Sequence, residues 1–446
     1  MVKGRDFMTK KHNVTRHVTR RGFLKKAAAA SAAAISFPYI VPSTVLGQAA
    51  PSNKIVMGCI GVGWQGGSNM HEFLQQADAR IVAVCDVDTE HLYGARDAVN
   101  NKYGDKGCDT YADFRELLAR DDIDAVSLGL PDHWHAIPAI AAAKAGKDIY
   151  AEKPLSHTLA EGILMHQAVK KYGRVWQTGS WQRSQSNFRF ACELVLNGRI
   201  GKIYRVEVGL PSGHYDFAGT AGRETPETPP KCLDYDRWLG PAPYSPYCPA
   251  RVHKNWRWHL DYGGGQLMDW IGHHGDIAHW GMGCDYSGPL EVEGYGDYPR
   301  DGLWNSPNEY HLTAKYPNDI TMIIAGGYPD IWGGTKWIGP DGWVWVNRDA
   351  IRAEPESLLK EKIGPTEINL YHSPGHQREF LDCVKTRATT LTPCEVAHRS
   401  ATPGHLGQVA MVLGRKIKWD SKNECVIGDP EAQKMLSVPS RSPWHL

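Results

Sequence analysis

From Lys54 onward the chain alternates short apolar runs with amphipathic stretches. "KIVMGCI" runs into glycines at Gly61, "RIVAVCDVD" follows from Arg80, and "DIDAVSLGLP" from Asp122. Apolar runs of this length, bounded by turn residues, read as strands covered on both faces. Between them the pattern predicts helices around His91 to Tyr103, around Tyr111 to Arg120, and from about His135 to a stop at Gly146. A further strand ends at Tyr150-Ala151-Glu152-Lys153-Pro154. Strand and helix in alternation predict a doubly wound parallel sheet over residues 51–172. Ligands of such sheets sit beyond the carboxyl ends of the strands, so Pro131, His133, His135, Glu152 and Lys153 are expected along one rim.

After about Gly173 the period changes. "KIYRVEVGL", "EVEGYGD", "YHLTAKY" and "ITMIIAGG" alternate apolar and polar positions between Gly, Pro and Asn turns. That pattern predicts an α+β domain over 173–446 with a large, mainly antiparallel sheet carrying the substrate pocket. The stretch from Pro211 to Ala250 has no periodicity, and loops of that length inside a compact domain are usually functional or partner-binding. "HQREFLDCVKTR" and "GHLGQVAMVLGRKIKW" read as helices that pack back on the first domain.

Composition narrows the class without changing the outline. A chain of 446 residues, 42% hydrophobic and 22% charged, is long enough for two domains with real cores. Lys+Arg 50 against Asp+Glu 49 gives a net charge of +1, which offers no basic face to nucleic acid and points to a small-molecule partner. Trp 16 and Tyr 19 against Phe 9 favour flat amphipathic surfaces suited to sugar rings. None of the ten cysteines forms a C-x-x-C pair, so most read as free core thiols. At the start, "TRRGFLKK" precedes a weakly apolar, Ala-rich run from Ala27 to Ile40 that Pro38 and Pro42 interrupt. Residues 1–50 resemble a twin-arginine export signal, with cleavage near Ala49, and the run is too broken for a stable membrane span.

Gly61-Val62-Gly63-Trp64-Gln65-Gly66 is G-x-G-x-x-G at a strand-to-helix junction. Gly61 permits the tight turn, Gly63 lets backbone approach a pyrophosphate, and Gly66 lets the helix sit close while its N-terminus faces the anion. Asp86 ends the next strand, where an acid takes the ribose hydroxyls, and the absence of an adjacent Arg or Lys favours NAD over NADP. The expected cofactor contacts are Gly61, Gly63, Trp64, Gln65, Gly66, Asp86, Pro131, His135, Glu152 and Lys153.

The stretch "GGGQLMDWIGHHGDIAHWGMG" places Asp269 and His273 four apart and Asp276 three beyond, on one face of a regular helix. Two donors without a third make an incomplete zinc site, so no metal is expected and acid–base chemistry on a hydroxyl is the alternative. Asp276 reads as structural. Trp134, Gln182, Arg183, Asn255, Trp256, Arg257 and Trp258 are the substrate-side candidates.

Together the glycine fingerprint, Asp86, Glu152-Lys153-Pro154 and the later Asp269/His273 stretch resemble the Gfo/Idh/MocA superfamily over nearly all of residues 51–446. The resemblance implies a Rossmann domain, NAD, and catalytic roles for Lys153, Asp269 and His273. His273 would be the base, Lys153 would stabilise negative charge on oxygen, and Asp269 would orient the substrate or the base. It also implies a homo-oligomer, dimer or tetramer, and hydride transfer to or from a secondary alcohol of a sugar, cyclitol or polyol. Some members resemble glycosidases in which bound NAD oxidises and re-reduces the sugar; the Lys153 and Asp269/His273 positions match the dehydrogenase pattern instead. A non-catalytic cofactor-binding paralogue is the third alternative. A twin-arginine route carries folded proteins, so the expectation is an exported, periplasmic enzyme that leaves the cell with NAD already bound.

Overall fold

A computed structural model describes residues 53–446; the expected export signal at residues 1–50 lies outside them. Strands β1 (Ile55–Ile60), β2 (Ala79–Cys85), β3 (Asp109–Tyr111), β4 (Ala125–Leu128), β5 (Asp148–Ala151) and β6 (Trp176–Thr178) form one parallel sheet in the order β3-β2-β1-β4-β5-β6. Helices α1 (Trp64–Leu74), α2 (Thr89–Tyr103), α3 (Phe114–Leu118), α4 (Ala136–Lys144) and α5 (Leu159–Tyr172) connect them. β1 and β4 are buried at nearly every position, as strands covered on both faces must be. The strand order reverses between β1 and β4, and a crevice opens there past the strand ends. β6 extends this sheet six residues beyond the expected boundary at 172. Tyr111, expected at a helix start, ends β3 instead; Asp113 caps the short α3, its carboxylate accepting from the Arg115 N–H.

Helix α6 (Ser186–Leu196) leads into a nine-stranded sheet built from β7 (Arg205–Leu210), β8 (Glu291–Asp297), β9 (Glu309–Lys315), β10 (Thr321–Gly326), β11 (Gly334–Gly339), β12 (Gly342–Val346), β13 (Ile351–Glu354), β14 (Ile417–Asp420) and β15 (Cys425–Val426). Only the β7–β10 pair is parallel, so the sheet is mixed and mainly antiparallel. Its inner face carries the largest apolar core, with Val206, Val208, Leu312, Met322 and Trp337 against Phe188, Leu267 and Ile277.

The helix expected from Gly404 starts ten residues earlier, as α11 (Cys394–Leu413), and stops at Gly414 in the left-handed conformation. The "IKW" assigned to it is β14, because past the αL cap the pattern alternates buried and exposed positions. Helix α10 (His376–Thr386) sets Phe380 against Phe73 and Tyr150 of the parallel-sheet region. Arg378 pairs with Asp78 at 2.6 Å, and Lys385 bonds the same carboxylate. All ten cysteines are free, seven of them buried. Among the described residues no helix is long and apolar enough to cross a membrane.

Candidate active site

A cavity of about 660 Å³ runs along the crevice. Gly61, at φ +75°, turns the chain after β1, and a Cβ on Gly66 would lie 1.9 Å from the Gly61 carbonyl oxygen. That contact is why the first turn of α1 can rest on the glycine turn. Gly61, Gly63, Trp64 and Gln65 line the cavity, while Gly66 packs directly beneath. Asp86, past the end of β2, accepts hydrogen bonds from the Val62 and Asp88 amides at 2.9 Å each. Burial raises its carboxyl above the usual range, with those two amides working against the rise. Pro131 also lines the cavity, as does Glu152, whose carboxylate accepts from Asn69 at 2.8 Å. The open glycine turn and the acid beyond β2 fit a dinucleotide.

His135, expected to touch the cofactor, does not reach the cavity. Its ring nitrogens lie 2.8 Å from the carbonyls of Leu130 and Pro154, so it ties together the two turns that present Pro131 and Lys153. His133 is likewise buried, against Trp238 and Tyr262.

At the β5 end the cavity receives Lys153, Asp269 and His273. Lys153 Nζ donates to both the carbonyl and Oδ1 of Asp269 at 2.8 Å, and Arg257 Nε donates to the same Oδ1 at 3.1 Å. Burial alone would raise the Asp269 carboxyl; the two cations instead hold it at about 2. His273 is pushed well below its ordinary value by burial, then by the Lys153 and Arg348 charges, and is therefore neutral. Its Nδ1 is buried without a partner among the described residues.

The helix carrying these groups is not regular. Helix α8 (Gly265–Trp270) passes through a π turn at Ile271–Gly275 before α9 (Asp276–Met282). The wide turn adds a residue, which rotates everything after it by about 100° relative to a plain α-helix. Asp269 and His273 stay at the cavity, and Asp276 turns away to a buried ion group. There Arg183 donates to Asp276 at 2.7 and 2.9 Å and to Asp285 at 2.8 and 2.9 Å. Arg183, expected beside the substrate, is thus committed to the core. A Cβ on Gly272 of the π turn would lie 3.0 Å from Lys153 Cβ, so the stem of Lys153 rests on this turn.

The other substrate candidates divide. Trp256 and Arg257 line the cavity, and Trp134 lines it at the β3 side, where its indole N–H is spent on the Trp238 carbonyl at 2.9 Å. Gln182 lies one layer behind the wall, 3.2 Å from His274 Nδ1. Trp258 is fully buried behind Phe217, and Asn255 bonds Asp216 and Thr220. Trp181, Lys254, Trp270 and Arg348 line the cavity unanticipated. Trp181 and Trp270 adjoin residues already singled out; Arg348 belongs to no motif.

The aperiodic Pro211–Ala250 stretch is ordered as a strap across the crevice. Leu233 bridges to Asp88, the Thr89 amide donates to the Cys232 carbonyl at 2.8 Å, and the Asp234 amide donates to Val87 at 2.9 Å. Helix α7 (Tyr235–Leu239) then sets Trp238 over the Trp134 wall, and Arg441 bonds Asp236 from outside at 2.7 Å.

The model of an oxidoreductase family's NAD-binding Rossmann fold matches residues 55–180, and that of the family's C-terminal alpha/beta domain matches residues 184–446. Among curated relatives, a "Glycosyl hydrolase family 109 protein 2" of Shewanella sp. (strain ANA-3) is 37% identical over 161 residues, covering 32% of this chain and 35% of that protein. The chain thus spans about a third of the length of the curated relatives it matches first. Two solved structures share the fold. WlbA dehydrogenase from Bordetella pertussis, in complex with NADH and UDP-GlcNAcA, superposes with TM-score 0.60 at 19% identity, over 82% of this chain and 99% of that one. Aldose-aldose oxidoreductase from Caulobacter crescentus gives 0.59 at 20%, with the same coverage. With the family models spanning both sheets and the crevice built for NAD, the chain belongs to the Gfo/Idh/MocA oxidoreductase family.

Proposed function

We propose that the protein moves hydride between NAD and a secondary alcohol of a sugar, cyclitol or related polyol. One observation carries this reading: Lys153, Asp269 and His273 enter the same cavity as the glycine turn and Asp86. Bound there, NAD supplies the hydride acceptor, and the protein must remove the hydroxyl proton and hold the developing charge. Neutral His273 is able to accept that proton. Lys153, anchored by Asp269, presents a fixed positive charge where negative charge grows on the substrate oxygen. Asp269 stays ionised throughout the working range and holds Lys153 in place. Trp256, Trp181 and Trp270 offer flat faces for a sugar ring.

A second reading is favoured by the relatives named as glycosyl hydrolases of family 109: a redox-neutral glycosidase that oxidises and re-reduces the same sugar. Sugars, cyclitols and aryl glycosides offered to the purified protein separate the two, with reduced-nicotinamide absorbance and leaving-group release followed together. Steady turnover that requires an added oxidant or second sugar supports the dehydrogenase; leaving-group release without either overturns it.

The resemblance of "TRRGFLKK" to a twin-arginine signal, together with the strap, supports a further part of the proposal: export of the folded enzyme with NAD already enclosed. Protein isolated from the periplasm should carry nucleotide in near-equal molar amount. Empty protein that binds NAD weakly would contradict this.

A further inference from the structure

Three arginines line the cavity, and two of them have carboxylate partners. Arg257 pairs with Asp269 at 3.1 Å and Arg237 with Asp234 at 3.6 Å. Arg348 has no carboxylate within 4.0 Å among the described residues. It sits in the turn between β12 and β13, and its guanidinium carbon lies 4.6 Å from the ring centres of both Trp181 and Trp270. Those indoles in turn pack edge-on against His273, with centroids 6.2 and 5.5 Å away. Arg348 Nε donates to Gln182 Oε1 at 3.3 Å, which leaves the two terminal nitrogens free. A planar cation between two aromatic faces, tethered at one edge, is a preformed fork for an oxyanion.

The dinucleotide does not account for this charge. The cations beside the glycine turn are Lys254 and Arg257, both over Trp64. Arg348 instead stacks on Trp181 and Trp270, the two indoles that pack against His273. Arg348 is exposed while lining the cavity, and the carboxylates that act on it, Asp269 and Asp349, do so from beyond bonding distance, so its terminal nitrogens stay open to a ligand.

We infer that the substrate is a sugar acid, a hexuronate or similar, whose carboxylate is gripped by the free edge of Arg348 while a ring hydroxyl faces His273 and Lys153. This rests on the reading above for where hydride is exchanged, and it assigns Gln182 a positioning role, through Arg348 rather than through the substrate.

The test uses the NAD-loaded protein with glucuronate, galacturonate, glucose and glucose 6-phosphate. Turnover is read by reduction of an added dye oxidant that regenerates the bound NAD, and binding separately by quenching of tryptophan fluorescence. Uronates should be preferred over glucose, and Arg348→Gln should raise KM and the quenching Kd for uronate roughly 10- to 100-fold, as loss of charge-assisted hydrogen bonds does. Their kcat should change little, and Arg348→Lys, which keeps charge without the fork, should recover part of the loss. Equal use of glucose and glucuronate, or a preference for glucose 6-phosphate, overturns the sugar-acid assignment while leaving the dehydrogenase reading intact. Uronate quenching that depends on Arg348, with no sugar reducing the cofactor, overturns the dehydrogenase reading and leaves the carboxylate site standing. A shift of the pH profile in Arg348→Gln with no change in uronate affinity would show that Arg348 serves only to keep His273 neutral, and would also overturn the assignment.

Discussion

His273 and Asp269 stand four residues apart and are both driven toward the acid end of the titration scale, which leaves one neutral and the other charged. Burial and two neighbouring cations keep His273 neutral, while the same kind of neighbours keep Asp269 charged. Because His273 is lowered well below the usual 6.5, it remains a proton acceptor at mildly acidic pH. The acid limb of kcat/KM is therefore expected below pH 6.5; a limb at or above 6.5 in a rate profile would show that His273 is not the base. The meeting of Lys153, Asp269 and His273 in one cavity was legible in the sequence because short motifs hold them: E-K-P after a strand, and D-x-x-x-H after three glycines. Gln182, Arg183 and Trp258 misled because closeness to a strand end does not reveal which way a side chain points. Arg183 satisfies two buried aspartates instead. Arg348 was illegible, since it meets Trp181 and Trp270 only through the folding of a hairpin distant in sequence.

At the scale of elements, the glycine turn and the strap make separate predictions. Gly66→Ala places a Cβ 1.9 Å from a backbone oxygen, so the turn must shift. The expected result is loss of NAD retention with a stability cost of about 1–3 kcal/mol, read by bound-nucleotide content and a thermal melt. Trp238→Ala removes the indole that α7 packs against Tyr262 and His133 while leaving the glycine turn alone. It should accelerate NAD release about tenfold for each 1.4 kcal/mol lost from the closed strap. An unchanged release rate in a nucleotide-exchange measurement would mean that the strap does not retain the cofactor. The parallel sheet could be read from its apolar runs, but β11 to β13 could not. Gly334, Gly339 and Gly342 punctuate that stretch like turns, although they permit close passage, a Cβ on Gly339 lying 1.9 Å from the Ile200 oxygen. The π turn was invisible for a related reason: a regular helix and one with an extra residue share the same local composition, and only packing on Lys153 distinguishes them.

For the molecule as a whole, buried histidines set the response to acid. His133, His274 and His405 are pushed down to about 3, and His279 and His376 to about 4, chiefly by burial. An unfolded histidine takes up a proton as the pH falls through about 6.5, whereas these five refuse it until 3 or 4. Below pH 6.5 the unfolded state binds more protons, so their contribution to stability is full above that value. It is lost downward at about 1.4 kcal/mol per pH unit for each histidine. Denaturant midpoints should drop steeply between pH 6.5 and 4; a flat profile there would contradict the burial of these rings.

The proposed chemistry turns on Lys153 standing between bound NAD and the substrate oxygen. The most direct measurement compares wild type with Lys153→Ala, following reduced-nicotinamide absorbance after a turned-over sugar is added to NAD-loaded protein. The variant should retain its nucleotide while the rate of reduction falls about 10²- to 10³-fold, the usual cost of losing a charge-stabilising donor. Reduction at the wild-type rate with nucleotide still bound would remove Lys153 from the chemistry and contradict the account.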